Sequence, residues 1–421
     1  MPDITSASRA AEQRGIPVDA YLVGVSVFLV IAATNIMTPL LPNIRDDFAV
    51  SVATAGVIVG SYGLARLLTD LPAGFVIDRL GHRNVTLAGV VLLVASSLVG
   101  LNASSVPMLI AARVGSGVAV ALITTVALAT LGGIATNAER GKVMSFFHVA
   151  NNSGIALYPL VGGFVGAAFG WRSTFAVTVA LAIVAGVLLV PILLRVHPRT
   201  KAQAGGQTDA RVLQGRDRAS AIAATNYGVV ANMINRHGFR NTVLPLYAAT
   251  SLGLGGVSIA TAIALMSITG LFVATPGGML GDRFGRRRVI MSGLAAVAVG
   301  DIAFLLTHDL VTFLAFAALI GFGDFFSSSQ TALLSEVVPS EHRTKVLAGY
   351  RFSADLGAAV GPVLLAAVMD VANAQAAIVL AAAILLTASV AARIGVPARV
   401  DDRPARTPSA VAAIEGATDA E

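Results

Sequence analysis

Along the chain, apolar runs of about 20 residues alternate with short polar breaks, and each run is long enough to cross about 30 Å of hydrocarbon as a helix. Twelve runs are predicted, at roughly 20–43, 52–77, 85–101, 107–135, 143–169, 174–196, 219–248, 256–280, 289–307, 310–338, 345–369 and 372–396. Six lie on each side of one long polar segment, His197 to Arg218, rich in Arg, Gln, Gly and Asp, which reads as a linker of low order. The expected architecture is an all-α integral membrane protein with a polar tail at 1–19, a six-helix bundle at 20–196, a linker at 197–218, a second six-helix bundle at 219–396 and a disordered tail at 397–421. The first run has spanning length and no convincing small-residue cleavage site, so it is expected to remain as the first helix.

Composition fixes the solvent. With 56% hydrophobic and 12% charged residues, against about 25% charged in ordinary soluble domains, the chain belongs in a bilayer. It has no cysteine, which excludes disulfides, a thiolate nucleophile and cysteine metal sites. The net charge of +6 lies in loops, so nucleic acid is not an expected partner. Of the 29 Lys and Arg, only Arg45 and Arg172 fall in the odd-numbered connections and five fall inside apolar runs, which leaves 22 in the even-numbered connections, linker and tails. Both termini are therefore expected in the cytoplasm. Lysine occurs only at 142, 201 and 345 among abundant arginine and alanine, a usage that points to a GC-rich bacterial genome. No phosphate loop is present, since Gly141-Lys142 is followed by valine, and neither a nucleophile elbow nor a metal cluster is found. The expectation is a non-enzyme without cofactor and without direct ATP drive.

Two segments repeat. Gly74 to Arg83 reads GFVIDRLGHR and Gly278 to Arg287 reads GMLGDRFGRR, and Pro72 and Pro276 keep the same register before them. A duplicated tight turn at the end of an apolar run points to a transporter made of two homologous bundles. Gly81 and Gly285 permit the turn. Asp78 and Asp282 are placed to meet the positive end of a neighbouring helix, while Arg79, Arg83, Arg283, Arg286 and Arg287 can bind carbonyls, carboxylates or lipid phosphates. Cations that merely obey the positive-inside rule would leave the aspartates and glycines unexplained.

Predicted helix 4 carries Arg113-Val-Gly-Ser-Gly117, and helix 5 carries Gly154-x-x-x-Tyr158-Pro159-x-x-Gly162-Gly163, followed by Gly170-Trp171-Arg172. Together with the duplicated loop these residues resemble the twelve-helix major facilitator superfamily, most closely its drug:proton antiporter branch, over about residues 20–396. In helix 5, Tyr158 stands where that branch has a small residue. The resemblance implies a monomer of the bacterial inner membrane that moves a small molecule and protons among lipids by rocking two bundles. It also implies that Asp78 docks on the start of helix 11 when the transporter faces outward, that helices 2 and 11 face each other, and that helices 1 and 7 line the cavity.

Arg66, Arg113, Arg236, Arg240 and Arg351 fall inside apolar runs, where each guanidinium costs at least about 2.5 kcal/mol unless paired or wet. Arg66 with Asp70 and Arg351 with Asp355 are spaced i, i+4. At about 1.5 Å per residue, Arg66 is level with Asp355 and Asp70 with Arg351 if helices 2 and 11 meet. A four-charge cluster results; two separate intrahelical pairs are the alternative. Asp70 and Asp355 are candidate proton sites in either case, with Asp324 in helix 10 as a further candidate and Asp301 as a structural or lipid-interface residue. Shifting helix 5 onto helix 11 places His148 on Arg351 and Asn152 on Asp355. The expected cavity residues are Asn35, His148, Asn152, Asn226, Asn232 and Arg236, while Arg240 is expected to snorkel toward the surface. The functional expectation is export of a small, partly apolar compound in exchange for protons. The alternatives are proton-coupled uptake of a small, possibly anionic, solute and a non-transporting sensor.

Overall fold

The computed structural model describes residues 17–134, 140–195 and 213–401. In the first half, α1 spans Val18–Asn35 and continues through a 3-10 turn at Thr38–Leu40 into Leu41–Asp47. It is followed by α2 (Val52–Leu80), α3 (His82–Leu101), α4 (Val106–Ile134), α5 (Arg140–Phe169) and α6 (Ser173–Arg195). In the second half, α7 runs from Gly215–Met233 through Ile234–Val243 to Leu244–Leu252. Then come α8 (Gly256–Phe284), α9 (Arg286–Ala303), α10 (Leu310–Gly323, continuing to Val337), α11 (Ser340–Val371) and α12 (Ala374–Gly395). Among the described residues eleven helices are long and apolar enough to cross a membrane. The exception is α7, whose middle is a π-helix carrying Asn235, Arg236, His237, Arg240 and Asn241. It begins at Gly215, inside the segment read as linker; residues 197–212 of that segment lie outside the described residues.

Local sequence accounts for where helices stop. Gly81 and Gly285 end α2 and α8 with φ of +80° and +98°, values that side-chain-bearing residues seldom adopt. At the other face Ser51 and Asn373 cap α2 and α12, and Asp309 with Thr312 forms a capping box at α10. Burial and hydrogen bonding keep the pattern expected of a protein in hydrocarbon: side chains such as Phe75, Phe272 and Val371 point outward, and intrahelical bonds satisfy the backbone.

The two halves meet through small residues. A methyl group at Gly56 of α2 would run into the Ala366 Cβ of α11, and at Gly60 and Gly63 it would lie 2.9 Å from the Ala359 and Ala358 carbonyls. Close backbone approach of this kind is how helices associate where water supplies no driving force. Gly163 of α5 similarly faces Ala260 of α8 at 2.5 Å, and the Val52 amide donates across the seam to Asp370 Oδ1 at 3.2 Å. All these contacts lie toward the face opposite the duplicated loops. At the loop end, Gly74 has open space around it.

Candidate functional site

At the inner end of this closed seam lies a cavity of about 280 Å³, walled by α1, α2, α4, α5, α7, α8 and α11. That is close to the lower bound, about 300 Å³, for small-molecule sites. The wider turn of the π-helix presents Arg236, His237, Arg240 and Asn241 of α7 to it. Asn35, Tyr62, Arg66, Arg113, Asn151, Asn152, Pro159 and Asp355 complete its polar and shaping groups.

Arg66 Nε stands 3.6 Å from Asp70 Oδ2 within α2 and 3.6 Å from Asp355 Oδ1 on α11. Intrahelical and cross-seam pairs therefore coexist on one guanidinium. Arg351 corrects the four-charge expectation: it is exposed and pairs with neither aspartate, because α2 and α11 have parted toward the loop end. Arg113 donates from Nη1 to the Thr34 carbonyl at 3.2 Å and stacks 4.7 Å above the Tyr62 ring. Tyr62 was not singled out from the sequence, although it lies one turn before Arg66 on the same face.

A second polar group is buried within the C-terminal half. Arg240 donates to both oxygens of Asp324, at 2.6 and 3.1 Å, and through Nε to Asn235 Oδ1 at 3.0 Å; Asn235 donates in turn to Asp301 Oδ2. Arg240 is thus held inside and does not snorkel, and Asp301 is fully buried against α7 with no lipid contact. Asp324, expected as a proton site, is engaged on both oxygens. Of the expected cavity asparagines, Asn35 and Asn152 are present. Asn226 and Asn232 are not among the lining residues. Asn226 lies about 10 Å along α7 from Met233, the first α7 residue at the cavity. Asn232 is one turn beyond Gly228, on the face that meets Gln330 and Leu294, and is 1% exposed. His148 sits on α5, but its side chain is outside the described residues.

The α5 motif packs as a set of close approaches. A methyl group at Gly154 would lie 2.9 Å from the Phe28 carbonyl of α1, and one at Gly162 would run into the Ile36 carbonyl. Tyr158 is accommodated edge-on to Phe28, with ring centres 5.3 Å apart. Gly117 of α4 leans on the Tyr62 carbonyl of α2, and Trp171 and Arg172 both donate to Asp47 Oδ2, at 3.2 and 2.7 Å.

The two copies of the duplicated loop differ. In the second, Arg286 Nη2 lies 2.5 Å from Asp282 Oδ1 and 3.2 Å from Glu336 Oε1, while its Nη1 donates to the Gly278 carbonyl at 3.2 Å. Glu336, at the loop end of α10, was missed in the sequence. The Arg287 amide donates to Asp401 Oδ1 at 3.0 Å and its guanidinium to the Arg393 carbonyl at 2.7 Å, and burial pushes the Asp401 carboxyl above the ordinary carboxylate range. Arg283 stacks on Phe284. In the first copy His82 replaces Arg286; among the described residues Asp78 makes no hydrogen bond or ion pair, and Arg79 and Arg83 are exposed.

Comparison with known proteins agrees with this two-fold architecture. The Major Facilitator Superfamily model matches the chain twice, over residues 23–234 and 228–416. Multidrug resistance protein 2 of Bacillus subtilis is 25% identical over 327 residues, covering 75% of this chain and 80% of its own length. The chloramphenicol resistance protein of Streptomyces lividans is 25% identical over 354 residues, covering 83% and 89%. A solved POT family transporter in complex with 5-aminolevulinic acid shares the fold, with a TM-score of 0.76 at 12% identity over 93% of this chain and 98% of that one. The chain belongs to the Major Facilitator Superfamily and is a multi-pass membrane transporter, not an enzyme.

Proposed function

We propose that the protein is a proton-coupled secondary transporter that exports a small, partly apolar compound by alternating access. The observation that carries this reading is the sharing of Arg66 by Asp70 and Asp355 at the edge of the cavity. Two carboxylates on one guanidinium leave one negative charge uncompensated, and one proton neutralises the group. Because Arg66 and Asp355 belong to opposite halves, the same proton alters an attraction across the seam, the element whose two arrangements alternate. The names of the Bacillus and Streptomyces relatives support export. The distribution of basic residues supports termini and duplicated loops facing the cytoplasm, which makes the present arrangement, closed on the opposite face, the inward-facing one.

A second reading, proton-coupled uptake, is favoured by Arg113 and Arg236, two cavity cations that make no ion pair among the described residues. Purified protein in proteoliposomes loaded with a pH-sensitive dye tests the proposal. Drugs and metabolites added in turn should move protons in the wild type and not in Asp355→Asn. A panel that moves no protons through the wild type would set proton coupling aside.

A further inference from the structure

Among the described residues, two guanidiniums at the cavity make no ion pair of their own. Arg66 is shared by Asp70 and Asp355, and Arg240 occupies both oxygens of Asp324. Among the described residues Arg113 has only the Thr34 carbonyl and the face of Tyr62, and its Nε is buried without a hydrogen-bond partner. Arg236 lines both the main cavity and the smaller pocket at Asp324, yet makes no ion pair among the described residues, because Arg240 already holds that carboxylate. A carbonyl or a ring face orients a guanidinium but does not neutralise it, and an unneutralised cation deep in a membrane protein marks a ligand path. The rest of the lining is mixed: Ile31, Val59, Ile155, Met233, Ile263 and Met266 supply apolar surface beside polar groups such as Asn35 and Asn152.

Resting on the reading of this cavity as the transport site, we propose that the substrate is a small organic anion: an oxyanion on an apolar body, its charged end held by Arg113 and Arg236. The planar fork of each guanidinium matches an oxyanion with two parallel donors. An organic cation placed at this end of the cavity would meet two guanidiniums as like charges and be disfavoured there.

The test uses the full-length protein in detergent and a series of naphthyl, indolyl and phenylpropyl compounds, each supplied as carboxylate, carboxamide and ammonium. Thermal stabilisation should be confined to carboxylates, and their affinity should fall at least tenfold in Arg236→Gln and in Arg113→Gln, with partial recovery in the Lys variants. Arg236→Gln decides the matter if Arg113→Gln fails to fold, since Arg236 carries no ion pair of the fold. Stabilisation by ammonium or amide members that survives both substitutions, or no carboxylate-specific shift in the series, would overturn the proposal. The same series in dye-loaded proteoliposomes separates the two readings. Proton movement driven by amides or ammoniums alone would sink the anion and leave proton-coupled transport standing. Carboxylate binding without proton movement would do the reverse.

Discussion

Arg66 on α2 and Asp355 on α11 stand 3.6 Å apart across the seam, and Asp70 approaches the same guanidinium from within α2 at the same distance. The two aspartates are therefore not equivalent. Asp70→Asn keeps the cross-seam pair; Asp355→Asn removes it. Both should lose proton-driven transport, but only Asp355→Asn should loosen the closed face. The three groups are partly open to solvent, at 17–28% side-chain exposure, so the cross-seam coupling is expected at roughly 0.5–1 kcal/mol. A double-mutant cycle of Arg66→Gln with Asp355→Asn, read by thermal unfolding, measures it. Coupling indistinguishable from zero would show that the pair does not hold the halves together.

The Arg240 and Asp324 pair predicts a different phenotype. Both side chains are under a tenth exposed and are joined by two hydrogen bonds, so removing one partner strands a buried charge. Asp324→Asn should lower stability by about 3–5 kcal/mol, and adding Arg240→Gln should restore part of it. If Asp324 instead carries the coupling proton, Asp324→Asn will unfold like the wild type while failing to transport.

Much of the architecture was legible because hydrocarbon imposes it. Run length, the duplicated Asp78 and Asp282 turns and the positions of the basic residues depend on local sequence alone. The seam was half legible: equal depths on α2 and α11 brought Arg66 to Asp355, but depth says nothing of whether the helices stay together along their length, and at Arg351 they do not. The α7 residues were hardest. A π-helix shifts register in a way that no helical period anticipates, so Asn235 turned toward Asp301 and Arg240 toward Asp324, a burial that spacing did not foretell. Glu336 escaped notice because its partner Arg286 is 50 residues away.

Gly163 offers a test of the closed face. A methyl group there would already lie 2.5 Å from the Ala260 Cβ, so Gly163→Leu should force α5 from α8 and favour opening on that side. With no native thiols in the chain, single cysteines at seam positions that already carry a half-buried side chain, 59 and 257, can report the change. Maleimide labelling from the face opposite the duplicated loops should rise several-fold. Unchanged labelling would mean that the α2 and α11 contact closes this face by itself.

The last prediction concerns the unequal loops. In the second copy Arg286 binds Asp282, Glu336 and the Gly278 carbonyl at once, whereas in the first Asp78 is free beside His82. A carboxylate free in this arrangement is available for a partner in the other, such as the positive end of α11 once the halves close on the loop side. Asp78→Asn should therefore leave the thermal stability of the present arrangement within about 0.5 kcal/mol of wild type while slowing transport at least tenfold. Glu336→Gln should do the opposite, loosening α8, α9 and α10 with a smaller effect on rate. His82→Arg separates the roles further: an arginine four residues after Asp78 would capture it as Arg286 captures Asp282, stabilising the present arrangement and slowing the return step. Transport by Asp78→Asn at the wild-type rate, at equal membrane abundance, would remove the gating role and leave the first loop as a turn with basic flanks.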